Sequence, residues 1–158
     1  MQKRISSYIK QFNEVFNGNP WVDETFAKKL DSLTEDQAFK KAPDNNHSAA
    51  EVVSHIIVWR AEVLRRLNEN TTHSNLQDES PENWKDLALL RQQGWQQLYE
   101  DFKASHHQVI HFLQYKEDEY LDALIGDSVH TTEYYIAGLL QHDLYHLGQI
   151  GLILKWAK

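Results

Sequence analysis

From Thr132 to Trp156 the chain carries no proline and is apolar around most of a helical circumference. Ile136, Leu139, Leu140, Leu144, Leu147, Ile150 and Leu154 spread over more than one face. A helix of that kind is buried on several sides, so it must sit among other helices. Two histidines interrupt it, His142 and His146. Residues four apart share a helical face and lie one turn from each other, which lets two imidazoles grip one metal ion. Gly148 and Gly151 fall on the opposite face, where they would let another helix approach closely, including one from a second subunit.

The rest of the chain supplies helical partners. With 158 residues it is expected to form one domain, 1–158, large enough for a proper core. Only three prolines and six glycines punctuate it, and strict period-two alternation is scarce, so the class is all-α. A first helix is expected over residues 2–16, with Ile5, Ile9, Phe12 and Phe16 on one stripe, ended by Gly18-Asn19-Pro20. A shorter one follows over 21–30, and Thr34 with Gln37 forms a capping box over one or two turns. Residues 41–46 read as a loop. Ser48 and Glu51 form a second capping box at the head of a helix reaching 68–70, with Val52, Ile56, Trp59, Val63 and Leu67 as its stripe. The polar residues 71–79 are the stretch where disorder is expected. Ser80-Pro81-Glu82 carries the signature of a helix start, and Trp84, Leu87, Leu98, Phe102, Val109 and Phe112 share one side of a long helix over 80–113. A short acidic turn and loop over 116–126 precede the last helix, capped by Thr131 or Thr132. Four main amphipathic helices suggest a four-helix bundle, whose sites form between facing helices.

Composition excludes several chemistries. Cysteine is absent, so disulfides, thiolate metal sites and cysteine nucleophiles are out. No run approaches the roughly 20 apolar residues of a membrane helix, and the opening Met1-Gln2-Lys3-Arg4-Ile5 lacks the form of a signal peptide. A soluble, cytoplasmic protein is the expectation, with no membrane partner. A net charge of −7 and no dense Lys/Arg patch argue against nucleic acid.

Two imidazoles make a weak site, and nine histidines compete to complete it. His55 is the best third ligand, lying beside the stripe of its helix near Val52 and Trp59. Three histidines leave positions open for water or substrate, as a catalytic divalent metal requires. On spacing alone, ordinary interfacial histidines would give the same pattern. His107 and His111 repeat the spacing but point away from the stripe of their helix and should be solvated; His106 lies nearer that stripe, His73 and His130 lie in loops, and His47 reads as a loop contact. Gln149 shares the face of His142 and His146 and is a candidate to hydrogen-bond a ligand. Glu62, like Glu51, brackets His55 and could serve as a fourth ligand, a general base or an imidazole acceptor, though Glu51 already has a capping role. Tyr135 could line the pocket. Asp143 falls inside an apolar arc; a buried carboxylate needs partners, so it reads as an anchor to a backbone or basic group of another helix.

Two segments carry a resemblance: His47-Ser48-Ala49-Ala50-Glu51-Val52-Val53-Ser54-His55, and Gly138-Leu139-Leu140-Gln141-His142-Asp143-Leu144-Tyr145-His146-Leu147-Gly148-Gln149-Ile150. With Asn19-Pro20-Trp21 and the order of the helices, they resemble the DinB-like (YfiT/DinB) superfamily over nearly the whole chain. The resemblance implies an up-down-down-up four-helix bundle, often a homodimer, holding a divalent metal ion, zinc or nickel foremost, on His55, His142 and His146. Ala49-Ala50 stand where such relatives often carry bulkier residues, and are expected to widen the pocket mouth.

The leading functional expectation is a metal-dependent enzyme transferring a low-molecular-weight thiol to a small electrophile, with Gln149 or Glu62 orienting water or substrate. Alternatives are a metal-dependent hydrolase and a non-catalytic stress protein that binds metal or a small ligand. The absence of a basic cluster mildly disfavours an acidic thiol.

Overall fold

The computed structural model describes residues 3–41, 47–78 and 80–157. Among these residues there are seven α-helices and no β-strand. Four long helices form the bundle: α1 (Lys3–Asn17), α4 (Ala49–Glu69), α6 (Trp95–Gln114) and α7 (Thr132–Ala157). Short helices α2 (Phe26–Leu30), α3 (Glu35–Phe39) and α5 (Leu87–Gln93) fill the connections, and a 3-10 turn, Asp118–Asp122, precedes α7.

Local chemistry sets most boundaries. Ser48 accepts from the Glu51 N–H while the Glu51 carboxylate accepts from the Ser48 N–H, closing the capping box of α4. At the other end Asn70 takes a left-handed conformation, φ 51°, which its short polar side chain tolerates. Thr34 and Gln37 cap α3 in the same way. The second helix is shorter than expected. Thr25 supplies its cap, accepting from the Lys28 N–H at 3.1 Å, and leaves Trp21 outside and fully exposed.

Side-chain pairings fix the topology. Phe16 meets Phe102 and Asn13 meets His106, so α1 and α6 are antiparallel. Arg4 and Tyr8 both reach Glu133, so α1 and α7 run parallel. Arg60 reaches Phe102 and Ser105 across to α6. His55 faces His142 while Arg66 faces Tyr135, so α4 and α7 are antiparallel. The result is an up-down-down-up four-helix bundle with α1 diagonal to α4.

Three further expectations require correction. The long helix over 80–113 is two helices. Gly94, at φ 83° and ψ 151°, ends α5 and starts α6, a left-handed conformation that glycine adopts without steric cost. The Ser80–Pro81 signature opens a set of turns, which carry Trp84 off the helical stripe. The segment 71–78, where disorder was expected, is tied down: Glu62 accepts from the Asn75 N–H, and Arg65 and Arg66 donate to the carbonyls of His73 and Thr72. Ala49 and Ala50 are wholly buried in the core, so their small size serves packing there and does not open a pocket mouth. The loop expected over 41–46 lies, except for Lys41, outside the described residues.

One polar strut crosses the core. Arg60 and Asp143, each 1% exposed, pair at 2.7 Å between α4 and α7. Arg60 also donates to the Ser105 hydroxyl at 3.0 Å and lies 4.5 Å from the Phe102 ring centre. Asp143 is thus anchored to a basic group of another helix, as its place in an apolar arc required. Removing one partner strands a buried charge. Arg60→Leu or Asp143→Leu is expected to cost about 3–5 kcal/mol in urea unfolding, and the double variant to recover most of that loss.

Candidate metal centre

The antiparallel pairing of α4 and α7 brings His55 opposite His142 and His146. The Nε2 atoms of His55 and His142 are 3.2 Å apart, and those of His142 and His146 are 3.1 Å apart. One donor atom from each of the three residues falls within a 4.8 Å span. His55 and His146 are buried and His142 is half-buried.

The other ring nitrogens decide how the site is poised. His55 Nδ1–H donates to the Asn83 backbone carbonyl at 3.3 Å, and His146 Nδ1–H donates to Gln149 Oε1 at 2.7 Å. Each bond places the proton on Nδ1 and turns the Nε2 lone pair toward the shared point. Two lone pairs facing each other at this range repel unless a positive charge lies between them. An Nε2–H on His142 could serve only one neighbour, whereas one cation satisfies all three. The Nδ1 atom of His142 is buried without a hydrogen-bond partner. Three imidazole nitrogens suit zinc, nickel, copper or iron and leave coordination positions open, so the donor set fits a divalent metal ion.

Burial holds all three rings neutral. It lowers His55 to about 4, helped by the adjacent His146, and lowers His142 to about 3, helped by His146 and His55. His146 is lowered by burial too, against the pull of Gln149 and Asp143. Neutral imidazole is the ligand form, so no proton competes at physiological pH.

Residues outside the bundle proper complete the surroundings. Trp84 stacks flat on His55 with ring centres 4.0 Å apart and on His47 with centres 3.8 Å apart. Asn83 accepts from Trp59 Nε1–H at 2.9 Å and donates to the carbonyls of Gln77 and Asp78. One residue therefore orients both His55 and Trp59. Beside His142, between α4 and α7, a cavity of about 530 Å³ is lined by Trp59, Val63, Arg66, Tyr134 and Tyr135 among others.

The remaining sequence candidates fall into place as follows. Gln149 reaches the site through His146. Glu62 is not brought to the triad: its carboxylate accepts from Arg65 at 2.8 and 3.0 Å and from the Asn75 N–H at 3.0 Å, and the Arg65 contact holds it below the usual carboxylate range. Glu51 stays with its cap and Lys41. Tyr135 lines the cavity. His107 and His111 are exposed, and His106 is buried against Phe16 and Asn13. Gly151 faces Lys29 of α2, while Gly148 faces open space. The sequence reading missed Asn83, Trp84 and Arg66. A loop residue acting through its backbone carbonyl leaves no periodic signal, and Trp84 had been absorbed into a helical stripe.

A family model for the DinB superfamily matches residues 21–150. The chain belongs to the DinB superfamily. No curated protein matches the sequence. Among solved structures, the colibactin self-resistance protein ClbS, in complex with a double-stranded DNA, is similar over 94% of each chain, with a TM-score of 0.69 and 18% identity. At that identity the likeness concerns the fold. It nevertheless overturns the expectation that nucleic acid is excluded as a partner, because a protein of this fold is seen with a duplex. The physical reason is that net charge sums over the whole surface, whereas a duplex meets one face. Lys28, Lys29 and Lys155 line one depression, although Glu24 lines it too and pairs with Lys29, and Asp23 pairs with Lys28. Among the described residues no helix is long and apolar enough to cross a membrane.

The lowered histidines give the metal-free protein a defined acid weakness. Below about 6.5 the unfolded chain takes up protons that folded His55 and His142 refuse until about 4 and about 3. Stability fully present above pH 6.5 should drain as the pH falls toward 4. Urea unfolding of metal-free protein at pH 7.5, 6, 5 and 4.5 should show the loss, with a shallower slope in His142→Ala.

Proposed function

We propose that this chain is a divalent-metal-dependent enzyme that transfers a low-molecular-weight thiol to a small electrophile. The observation that carries this reading is the convergence of three neutral imidazole nitrogens beside a cavity of small-molecule size. Bound by His55, His142 and His146, zinc or nickel would supply Lewis acidity that lowers the pKa of a thiol reaching its open side.

The protein's own residues would do the rest. Asn83 holds His55, and Gln149 holds His146, each through the proton on Nδ1. Both are positioning residues. Trp84 and Trp59 cover flanks of the imidazole cluster and keep water from them. Glu62 acts at a distance, fastening residues 71–78 against α4. The cavity beside His142 would receive the substrates. In the net reaction with an aryl halide a sulfur–carbon bond forms as the carbon–halogen bond breaks, the halide ion leaves, and the thiol proton passes to solvent.

Metal-loaded protein incubated with cysteine, glutathione or another cellular thiol and a reactive aryl halide should form the thioether faster than His142→Ala does. Equal rates in the two proteins would exclude transfer. Turnover of an ester with no thiol present would move the assignment to the alternative, a metal-dependent hydrolase.

A second reading, contact with duplex DNA, is favoured by the complex seen for ClbS. It requires a retarded duplex band at about 50 mM salt that fades by about 200 mM, because phosphate contacts release counterions. Free duplex at low salt would end that reading.

A further inference from the structure

The cavity beside His142 has an uneven charge. Its lining contains one permanent cation, Arg66, and no carboxylate. Arg66 is half-buried. Its Nη2 donates to the Thr72 carbonyl at 2.8 Å and to the Tyr135 hydroxyl at 3.2 Å, and its guanidinium carbon lies 4.7 Å from the Tyr135 ring centre. These contacts are neutral. No acid pairs with Arg66 among the described residues. Its Nε is buried without a hydrogen-bond partner. The acid one turn back on α4, Glu62, is taken by Arg65. A partly desolvated cation with no carboxylate paired to it stabilises an anion that arrives beside it, and guanidinium geometry suits a planar carboxylate.

We propose that this cavity binds small molecules bearing a carboxylate, which is held by Arg66 while the other end of the ligand lies toward His142. Arg66 lies against Tyr135, seven residues from His142 on α7, so the groove places the carboxylate about 10 Å from the imidazoles along the helix axis. A single guanidinium balances one negative charge, which favours a monocarboxylate over a phosphate dianion. Between the two ends the walls are apolar and aromatic, with Trp59, Val63 and Leu139, and the floor at Gly138 is open. The ligand class is therefore an elongated acid with an apolar or aromatic middle. The direction of its reacting end rests on the proposed metal-dependent function; the seat for the acid group does not.

The test uses metal-free protein, so that only Arg66 can select the acid. Binding of 4-phenylbutanoate and of its neutral amide is measured by calorimetry for the wild type, Arg66→Met and Arg66→Lys. The acid should bind the wild type at least tenfold more tightly than the amide, the size of one charged hydrogen bond. Arg66→Met should abolish the preference and leave amide binding within about twofold. Arg66→Lys should keep part of it, which separates charge from shape. Equal binding of acid and amide by the wild type, no measurable acid binding at millimolar concentration, or a preference that survives Arg66→Met overturns the proposal. If the triad takes up no metal but the acid preference is present, the functional reading fails and this inference stands. Thiol transfer without acid preference gives the reverse.

Discussion

The Arg60–Asp143 pair sets the register on which the site depends. Asp143 is the neighbour of His142 in sequence, and Arg60 lies five residues beyond His55. Locking one to the other at 2.7 Å fixes how far α4 has slid along α7. A slip of one helical turn, about 5.4 Å, would carry His55 out of reach of both partner rings. The arrangement has a thermodynamic cost, since burial pushes the Asp143 carboxyl up and the Arg60 contact, with a smaller pull from His146, draws it back. One carboxylate oxygen, Oδ1, has no hydrogen-bond partner. A well-packed apolar pair would hold the helices together at least as strongly. What the ion pair adds is direction, because a guanidinium and a carboxylate meet in few geometries.

The site is built in two halves of different origin. The bundle contributes the three nitrogens. The described residues between His73 and Trp84, which form no regular helix, contribute what orients and shields one of them. It is fastened at its start by Arg65, Arg66 and Glu62 and at its end by Asn83. The break at Gly94 belongs to the same design. A single helix over 80–113 would have carried Trp84 along the bundle wall, whereas the turns before α5 lay it flat against His55.

The helices were legible because their signals are local and periodic. Capping boxes at Thr34 and Ser48 are written in four residues each; one H-x-x-x-H and one histidine beside a stripe offered the triad, and the family resemblance singled it out. Asp143 was legible as a buried acid in need of a partner; Arg60, four residues after Ile56 in an apolar stripe, carried the matching hint. Gly94 was passed over because apolar spacing continues in phase across it, and only its positive φ shows the interruption. Asn83 could not be found from sequence, because its decisive contact with His55 uses a backbone carbonyl that every residue has. Arg66 looked like half of an ordinary Arg-Arg pair. What sets it apart is that no carboxylate pairs with it directly among the described residues, because Glu62, though near, is held by Arg65.

The parallel stack of His47, Trp84 and His55 gives the molecule an optical property. An indole lying face to face with an imidazole can pass its excited electron to that ring, and the transfer grows easier as the ring becomes electron-poor. The far nitrogen of His55 is the one turned toward the shared point, so whatever charge sits there is felt by Trp84 through a single ring. Light emitted by this tryptophan thus carries a record of the occupancy of the triad. Trp21, standing wholly in solvent, lies outside this stack.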